Sequence, residues 1–482
     1  MDVVFVLEAL VVLACIVMGT RAGGVGVGLW GGVGVGILVF VFQEAPGEPP
    51  GSAMLIILAV VTAASMMQAA GGIDWMVGVA ARVIENHPKQ ITLIAPLTAF
   101  LFAVGSGTGN ILYPLLPVIY DVSYRNGIRP SRPLTVTVVQ SGMALAASPV
   151  SAAMAAMLTL TDVEPFGFSL PQILSVTFPA CIAGIVVTAL VMNRVGTELD
   201  DDPEVQARSA AGLLPSRAEL LASSAPGPTT SDATGPVVAP DGGSAGTTTS
   251  GTAPVATAPV VPQATARGRN SALAFLVGVV VIVLLGLFPD LRPAFEVEGE
   301  SVPIDMTTTI IIVMFAVGVA ILFLGRPKVA DVPEMSVFKA GMVAAIALFG
   351  IAWLTATFIA AHEDVIVGTI GGWVNDYVVI FALAVFLVAA LTTSQSTATR
   401  TIVPIGLAAG LSPGLVTGMW AGALNGVYTL PANGTQIAAA NFDLTGTTRL
   451  GTKLLDHSFF LPMVIMTVTS VLVGAAIGAI FY

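Results

Sequence analysis

Arg400 lies in an otherwise apolar stretch, directly after a string of hydroxyl and amide side chains: Ser394, Gln395, Ser396 and Thr397. At i+4 from Ser396 and i+3 from Thr397, it projects from the same side of a helix as they do. A planar guanidinium beside hydroxyls and a helix N-terminus is a carboxylate clamp, because its fork engages two oxygens at once. An arginine at the centre of a bilayer costs about 2.5 to 3.5 kcal/mol on insertion scales, so it faces a cavity and has a counterpart. The competing readings are an arginine that reaches the interface, or one paired with an acid such as Asp376; the tip itself carries no acid.

The same pattern recurs elsewhere in the chain. Placing Pro117 over Pro404 aligns SGTGNILYPLLPVI (106–119) with TSQSTATRTIVPIG (393–406). Each is a small, hydroxyl-rich tip followed by an apolar half-helix. About 30 residues beyond each tip comes an interrupted segment, AASPVSAAM (146–154) and LPANGTQIAAA (430–440), where a proline removes a backbone donor and small polar residues follow. Paired broken segments in two halves point to a transporter site near the midplane. The candidate binding set is therefore Arg400, Ser394, Gln395, Ser396 and Thr397; Ser106, Thr108 and Asn110; Ser148 and Ser151; and Asn433, Thr435 and Gln436. Each alone reads as a cap or an interhelical bond. The set as a whole holds one fixed positive charge and no acid, which favours an anionic substrate. Any small cation would fit near Asn110, Ser148 and Asn433, where freed carbonyls are expected.

The elements that must position these residues are membrane helices. The chain of 482 residues is 55% hydrophobic and 10% charged, too little polar material to cover a soluble surface. Apolar runs fall near 3–20, 23–43, 53–70, 133–160 and 169–193, and again near 271–289, 307–325, 337–361, 413–441 and 457–481. Two pairs of shorter pieces, 91–104 with 110–120 and 377–392 with 397–410, read as re-entrant hairpins. Residues 196–269 open acidic and turn Ala/Gly/Pro/Ser/Thr-rich, the composition of a flexible linker. The expected organisation is a first membrane repeat over 1–195, a linker over 196–269 and a second, inverted repeat over 270–482. The fold class is all-α and polytopic, with five crossings and one hairpin per repeat and broken helices at the midplane.

Charge placement orients this layout. With the N-terminus outside, 16 of the 18 Lys and Arg fall on the cytoplasmic side, the exceptions being Arg292 and Arg400. Both termini are then outside and the linker inside. A net charge of −11 argues against a nucleic-acid partner, and three His with two Cys argue against a metal centre or disulfide framework. No GxxxxGK[ST] motif supports ATP driving, and GGVGVG at 31–36 reads as helix packing. Glu8 reads as interfacial, with an intramembrane proton site as the alternative; His87 and His457 read as solvated or capping, and His362 as an outer-loop residue.

GTGN with LPVI (107–119), ASPVSAA (147–153), FKAGM with AWL (338–354), SQSTATR (394–400) and TGTTRLG followed by H and FF (445–460) resemble the anaerobic four-carbon dicarboxylate transporter family, Dcu. The resemblance runs along both halves in order; only the linker departs, being longer and richer in Pro, Ala and Thr. It implies exchange or uptake of fumarate, succinate, malate and aspartate across the bacterial inner membrane, without cofactors or enzymatic activity, and with H+ or Na+ as any coupling ion. It also implies a basic residue where Arg400 stands, and the wider ion-transporter superfamily implies a homodimer with a scaffold and a moving unit. The rival readings are a transporter of another organic anion, a Na+/H+ exchanger of the same architecture, or a membrane sensor using the linker as its output.

Overall fold

The computed structural model describes residues 3–22, 24–214, 217, 265–297, 300–362, 378–392, 394–431, 433–451 and 456–482. Helices dominate: α1 (Val3–Ala22), α2 (Gly26–Phe40), α3 (Gly51–Ala69), α4 (Gly72–Asn86), α5 (Ile91–Ser106), α6 (Leu116–Arg125), α7 (Ser131–Ala144), α8 (Ala152–Thr161), α9 (Leu170–Met192) and the short α10 (Pro203–Ala210). After the linker come α11 (Ala266–Leu287), a two-stranded hairpin of β1 (Ala294–Val297) and β2 (Glu300–Pro303), α12 (Met306–Gly325), α13 (Ser336–Ala361), α14 (Val379–Thr392), α15 (Gln395–Ala408), α16 (Pro413–Ala423), α17 (Gly434–Phe442) and α18 (Phe460–Phe481).

Among the described residues seven helical stretches are long and apolar enough to cross a bilayer, with Ser131–Thr161 counted as one. An eighth arises if α3 and α4, bent by 72° at their junction, form one span. The bend falls at Gly71, in a left-handed conformation (φ 79°) that favours glycine. Beyond it α4 is amphipathic, burying Met76, Val77, Ala80, Ala81 and Ile84 while Asp74, Arg82 and Glu85 face outward. The apolar helices α1, α2 and α14 are shorter.

The helices pack as two bodies. In the first, the frame, α2 packs on α1 and α13, α3 on α12 and α13, and α11 on α4 and α12. Its α2–α13 crossing depends on missing side chains: a Cβ on Gly350 would lie 1.9 Å from the Gly28 carbonyl oxygen. The second body, the cradle, gathers α5–α9 and α14–α18 around α7, every residue of which is buried. The bodies meet where α13 lies along α15, where α4 lies against α5 and α6, and where α3 lies along α8.

Two interruptions in the cradle follow from proline. The α7 helix tightens into a 3-10 turn (Leu145–Ala147) and breaks at Ser148, whose backbone is extended just before Pro149; α8 restarts from Ser151. Likewise α16 tightens into a 3-10 turn (Leu424–Tyr428), and α17 starts from Asn433, two residues after Pro431.

The start of the linker departs from the flexible reading. Asp202 caps α10, accepting from the Glu204 and Val205 amides. Leu199, Val205 and Leu214 bury against Tyr124 of α6. The acidic opening pairs with basic residues: Asp202 with Arg129, Glu198 with Arg132, and Glu204 with Arg449. Composition alone hides this, because the partners are remote in sequence.

Candidate binding site

A cavity of about 340 Å³ lies between frame and cradle. Three cradle helices begin at it, and each N-cap side chain lines it: Ser151 for α8, Ser394 for α15 and Asn433 for α17. Ser394 Oγ accepts from the Thr397 amide (3.2 Å) and hydroxyl (2.9 Å). Asn433 Oδ1 accepts from the Thr435 amide (3.1 Å), and the Gln436 side chain returns to the Asn433 amide, a reciprocal cap. Three helix N-termini aimed at one space make it electropositive without using a side-chain charge.

Arg400 supplies the charge. It is 4% exposed, and its Nε and Nη2 are buried with no partner among the described residues. Buried guanidinium donors left unmet are costly, so Nε and Nη2 call for an acceptor, which a carboxylate in the cavity can supply. Near-complete burial removes the reading of an arginine reaching the interface; Asp376 lies outside the described residues. One turn from the cavity, Thr399 Oγ1 donates to the Gln395 carbonyl (2.8 Å) and accepts from Trp420 Nε1 (2.7 Å), which fixes the arginine helix against α16.

The tip after α5 reaches the cavity through Ser106 and Thr108. Gly107 between them has φ 69°, and a Cβ there would lie 2.6 Å from the Val150 carbonyl oxygen. Glycine thus seats this tip against the break that precedes α8. Ten residues of the candidate set line one cavity: Arg400, Ser394, Gln395, Ser396, Thr397, Ser106, Thr108, Ser151, Asn433 and Thr435. Ser148 and Gln436 turn away, Ser148 Oγ donating to the Val104 carbonyl (2.7 Å) and Gln436 Nε2 to the Tyr428 carbonyl (3.2 Å). Both side chains are taken up by carbonyls freed at helix ends, Ser148 by the end of α5 and Gln436 by the 3-10 turn ahead of α17. The side chain of Asn110 lies outside the described residues; of the other two members of the cation grouping, Ser148 is tied to backbone and Asn433 caps α17 at the cavity.

Three further polar residues line the site: Tyr113, Ser141 and Tyr428, with Ser141 Oγ and Tyr428 OH 2.8 Å apart. Tyr113 stands inside the aligned tip GTGNILYP and Tyr428 just ahead of the second interruption, so proximity to those motifs was their signal. Ser141 has none, being placed by the course of α7. His457, expected to be solvated or capping, is buried at 4% exposure, its Nε2 2.9 Å from the Thr429 carbonyl in the turn before α17. Glu8, expected at the interface, has no exposure at all.

Known proteins sharpen what the geometry outlines. The chain is 32% identical to the anaerobic C4-dicarboxylate transporter DcuB of Escherichia coli O6:H1, across 99% of both chains. It is 31% identical to the C4-dicarboxylate transporter DcuA of Wolinella succinogenes, across 98% of this chain and 99% of that one. In fold it is similar to the YdaH transporter of Alcanivorax borkumensis (TM-score 0.56, 13% identity, covering 99% and 98% of the two chains) and to MtrF of Neisseria gonorrhoeae (TM-score 0.51, 12% identity, 93% and 84%). With residues 4–482 matching its family model, this all-α, multi-pass membrane protein belongs to the anaerobic C4-dicarboxylate membrane transporter family.

Proposed function

We propose that this protein is a secondary transporter that carries C4-dicarboxylates such as fumarate, succinate, malate and aspartate across the bacterial inner membrane. Arg400, with two buried unpartnered donors in a cavity ringed by helix N-termini, is the observation that carries this reading. The guanidinium holds one carboxylate by its fork. The second carboxylate, a four-carbon length away, meets hydroxyls and amide donors at the starts of α8 and α17. The cavity is at the small end of ligand sites, which suits a compact dianion with a few waters.

In this reading the two halves are inverted repeats of five crossings, with α5/α6 and α14/α15 as opposed re-entrant hairpins. Both termini are outside and the linker is cytoplasmic. The cradle moves against the frame to alternate access, driven by exchange or by H+ or Na+, and the protein works as a homodimer.

Counterflow tests this directly. Proteoliposomes preloaded with unlabelled succinate are expected to accumulate labelled fumarate, with the Na+ dependence read in parallel. Arg400→Ala is expected to abolish the signal while the protein inserts and purifies normally. Undiminished counterflow in that variant would sink the clamp; a thermal-shift response to a tricarboxylate but to no C4 acid would redirect the substrate class.

A further inference from the structure

A second buried ionisable site lies away from the cavity, where α1 meets the end of α13. Glu8 is fully buried, His362 Nε2 lies 2.8 Å from its Oε2, and its Oε1 is buried with no partner among the described residues. The His362 ring packs against Phe5 and Phe358, each at a centroid distance of 5.0 Å, and its side chain keeps 10% exposure. The exposed part of the pair is therefore the imidazole. Other charges on the helices packed against α1 are remote. Arg21 is at the opposite end of α1 and Lys339 at the opposite end of α13, while α2 and α14 carry no titratable side chain. Glu44, half-buried, and Glu48, exposed, both in the segment after α2, are the other acids described near this end of the bundle, the Gly47 amide beside Glu48 donating to Thr357 Oγ1 of α13 (3.1 Å).

The charge arithmetic is simple. With one proton between them the pair is neutral overall, either as carboxylate with imidazolium or as carboxylic acid with imidazole. With no proton it is a bare carboxylate at zero exposure beside a neutral ring, a state that burial strongly disfavours. The pair also touches the transport machinery. His362 caps α13, and Val337, Ala340, Gly341, Ala344 and Ala347 of α13 form one wall of the cavity. Ala408, at the end of the Arg400 helix, packs on the apolar cluster that contains Phe5, Leu354 and Phe358.

We propose that Glu8 and His362 together bind one exchangeable proton, and that this proton seats α13 against α1. Alkalinity removes it to water through the exposed edge of His362, the seat loosens and the cavity wall loses its register with α15. Glu8 and His362 are positioning residues here; neither touches substrate. Only the uptake readout of the test rests on the dicarboxylate reading, since proton binding itself is measurable without substrate.

Three measurements decide it. The melting temperature of the purified protein is expected to fall as the pair loses its proton with rising pH, whereas Glu8→Gln, which leaves no bare carboxylate, is expected to lose that component of the fall. With internal pH clamped, wild-type fumarate uptake is expected to fall by up to about tenfold per unit of external pH, the limit for a single proton, and Glu8→Gln to hold its acid-side rate throughout. A wild-type sample with labelled histidine carries only three ring signals, and that of His362 is expected to titrate. This last measurement stands even where the Glu8 variant fails to fold. A His362 signal that does not titrate, or a Glu8→Gln variant with wild-type pH profiles in both melting and uptake, overturns the proposal. Flat uptake of C4 acids in every protein with a titrating His362 would instead fault the substrate reading alone.

Discussion

The frame lines the cavity with Ile56, Ile57, Val60, Val61, Ala340 and Ala344, while the cradle lines it with Arg400, three N-cap side chains and a Ser–Tyr pair. The difference teaches how a ligand can be held and still travel. Every directional bond available to an anion belongs to one body. The other wall excludes water and offers contacts with no preferred register, so shifting the ligand along it breaks no hydrogen bond. A wall of small residues on α13 also lets α15 lie close. On the proposed function, then, the cradle binds and the frame seals.

The contrast breaks first at Arg400. Arg400→Lys keeps the charge but replaces the planar fork with a single point, so affinity is expected to fall about 30- to 100-fold, roughly 2 to 2.8 kcal/mol. Calorimetric titration with fumarate measures it. A lysine variant that binds as tightly as the parent would mean that net charge alone, not the clamp geometry, selects the anion.

The opposite wall gives the next largest effect. Ala344→Asn places a donor on the sealing side, where an anion could bond to both bodies at once. Binding is expected to stay within about twofold, or to tighten, while uptake drops about tenfold, because each transit must now break a bond worth about 1 to 1.5 kcal/mol. Unchanged flux would show that the frame wall tolerates polarity and that the division of labour is accidental.

The cradle side of this contrast was largely legible in the sequence, and the frame side was not. Arg400 stood out because an apolar chain makes one charge conspicuous, and the proline and glycine interruptions announced themselves by chemistry. Ser148 and Gln436 look as available as Ser151 and Thr435, but backbone carbonyls freed at nearby helix ends take up some of these hydroxyls and amides. Residue type cannot say which. Glu8 looked interfacial because it stands near a helix start; its partner is 354 residues away, a distance over which sequence carries no signal. Ser141 and the apolar wall depend on which helices pack together, and periodicity says little where a helix is buried all round, as α7 is.

A smaller effect is expected inside the cradle. Tyr428→Phe deletes one hydroxyl and leaves Ser141 Oγ, 2.8 Å from it, with only its bond to the Val138 carbonyl (2.7 Å) among the described residues. The loss is expected at about 1 kcal/mol, about fivefold in the half-saturating fumarate concentration, with the maximal rate little changed. A change in rate without a change in affinity would place Tyr428 in the moving contact rather than the grip.

The smallest effect belongs to the linker, and it tests where the boundary between the two bodies runs. Residues 198–210 attach to α6, to the start of α7 and to the loop after α17, through Arg129, Arg132 and Arg449 and the Leu444 carbonyl, which accepts from Arg208 (3.0 Å). All of these belong to the cradle, so the strap should ride with it rather than restrain it. Burial pushes the Asp202 carboxyl up, but hydrogen bonds from Arg129 and from the Glu204 and Val205 amides, with the arginine charge, outweigh this and hold it below its usual value. A carboxyl so depressed stabilises the docked form fully above its ordinary value near about pH 4, and that contribution is lost as pH falls from there through the lower folded-state value. Asp202→Ala removes both the cap and the ion pair and is expected to cost about 1 kcal/mol, seen as a small drop in melting temperature at neutral pH that disappears on acidification. Fumarate uptake is expected to stay within about twofold, and so is uptake after excision of residues 219–263, whose Gly, Pro, Ser and Thr content is that of a spacer. Uptake lost in Asp202→Ala with binding intact would mean that the strap bridges the moving and stationary bodies, and the frame would then have to be redrawn to include it.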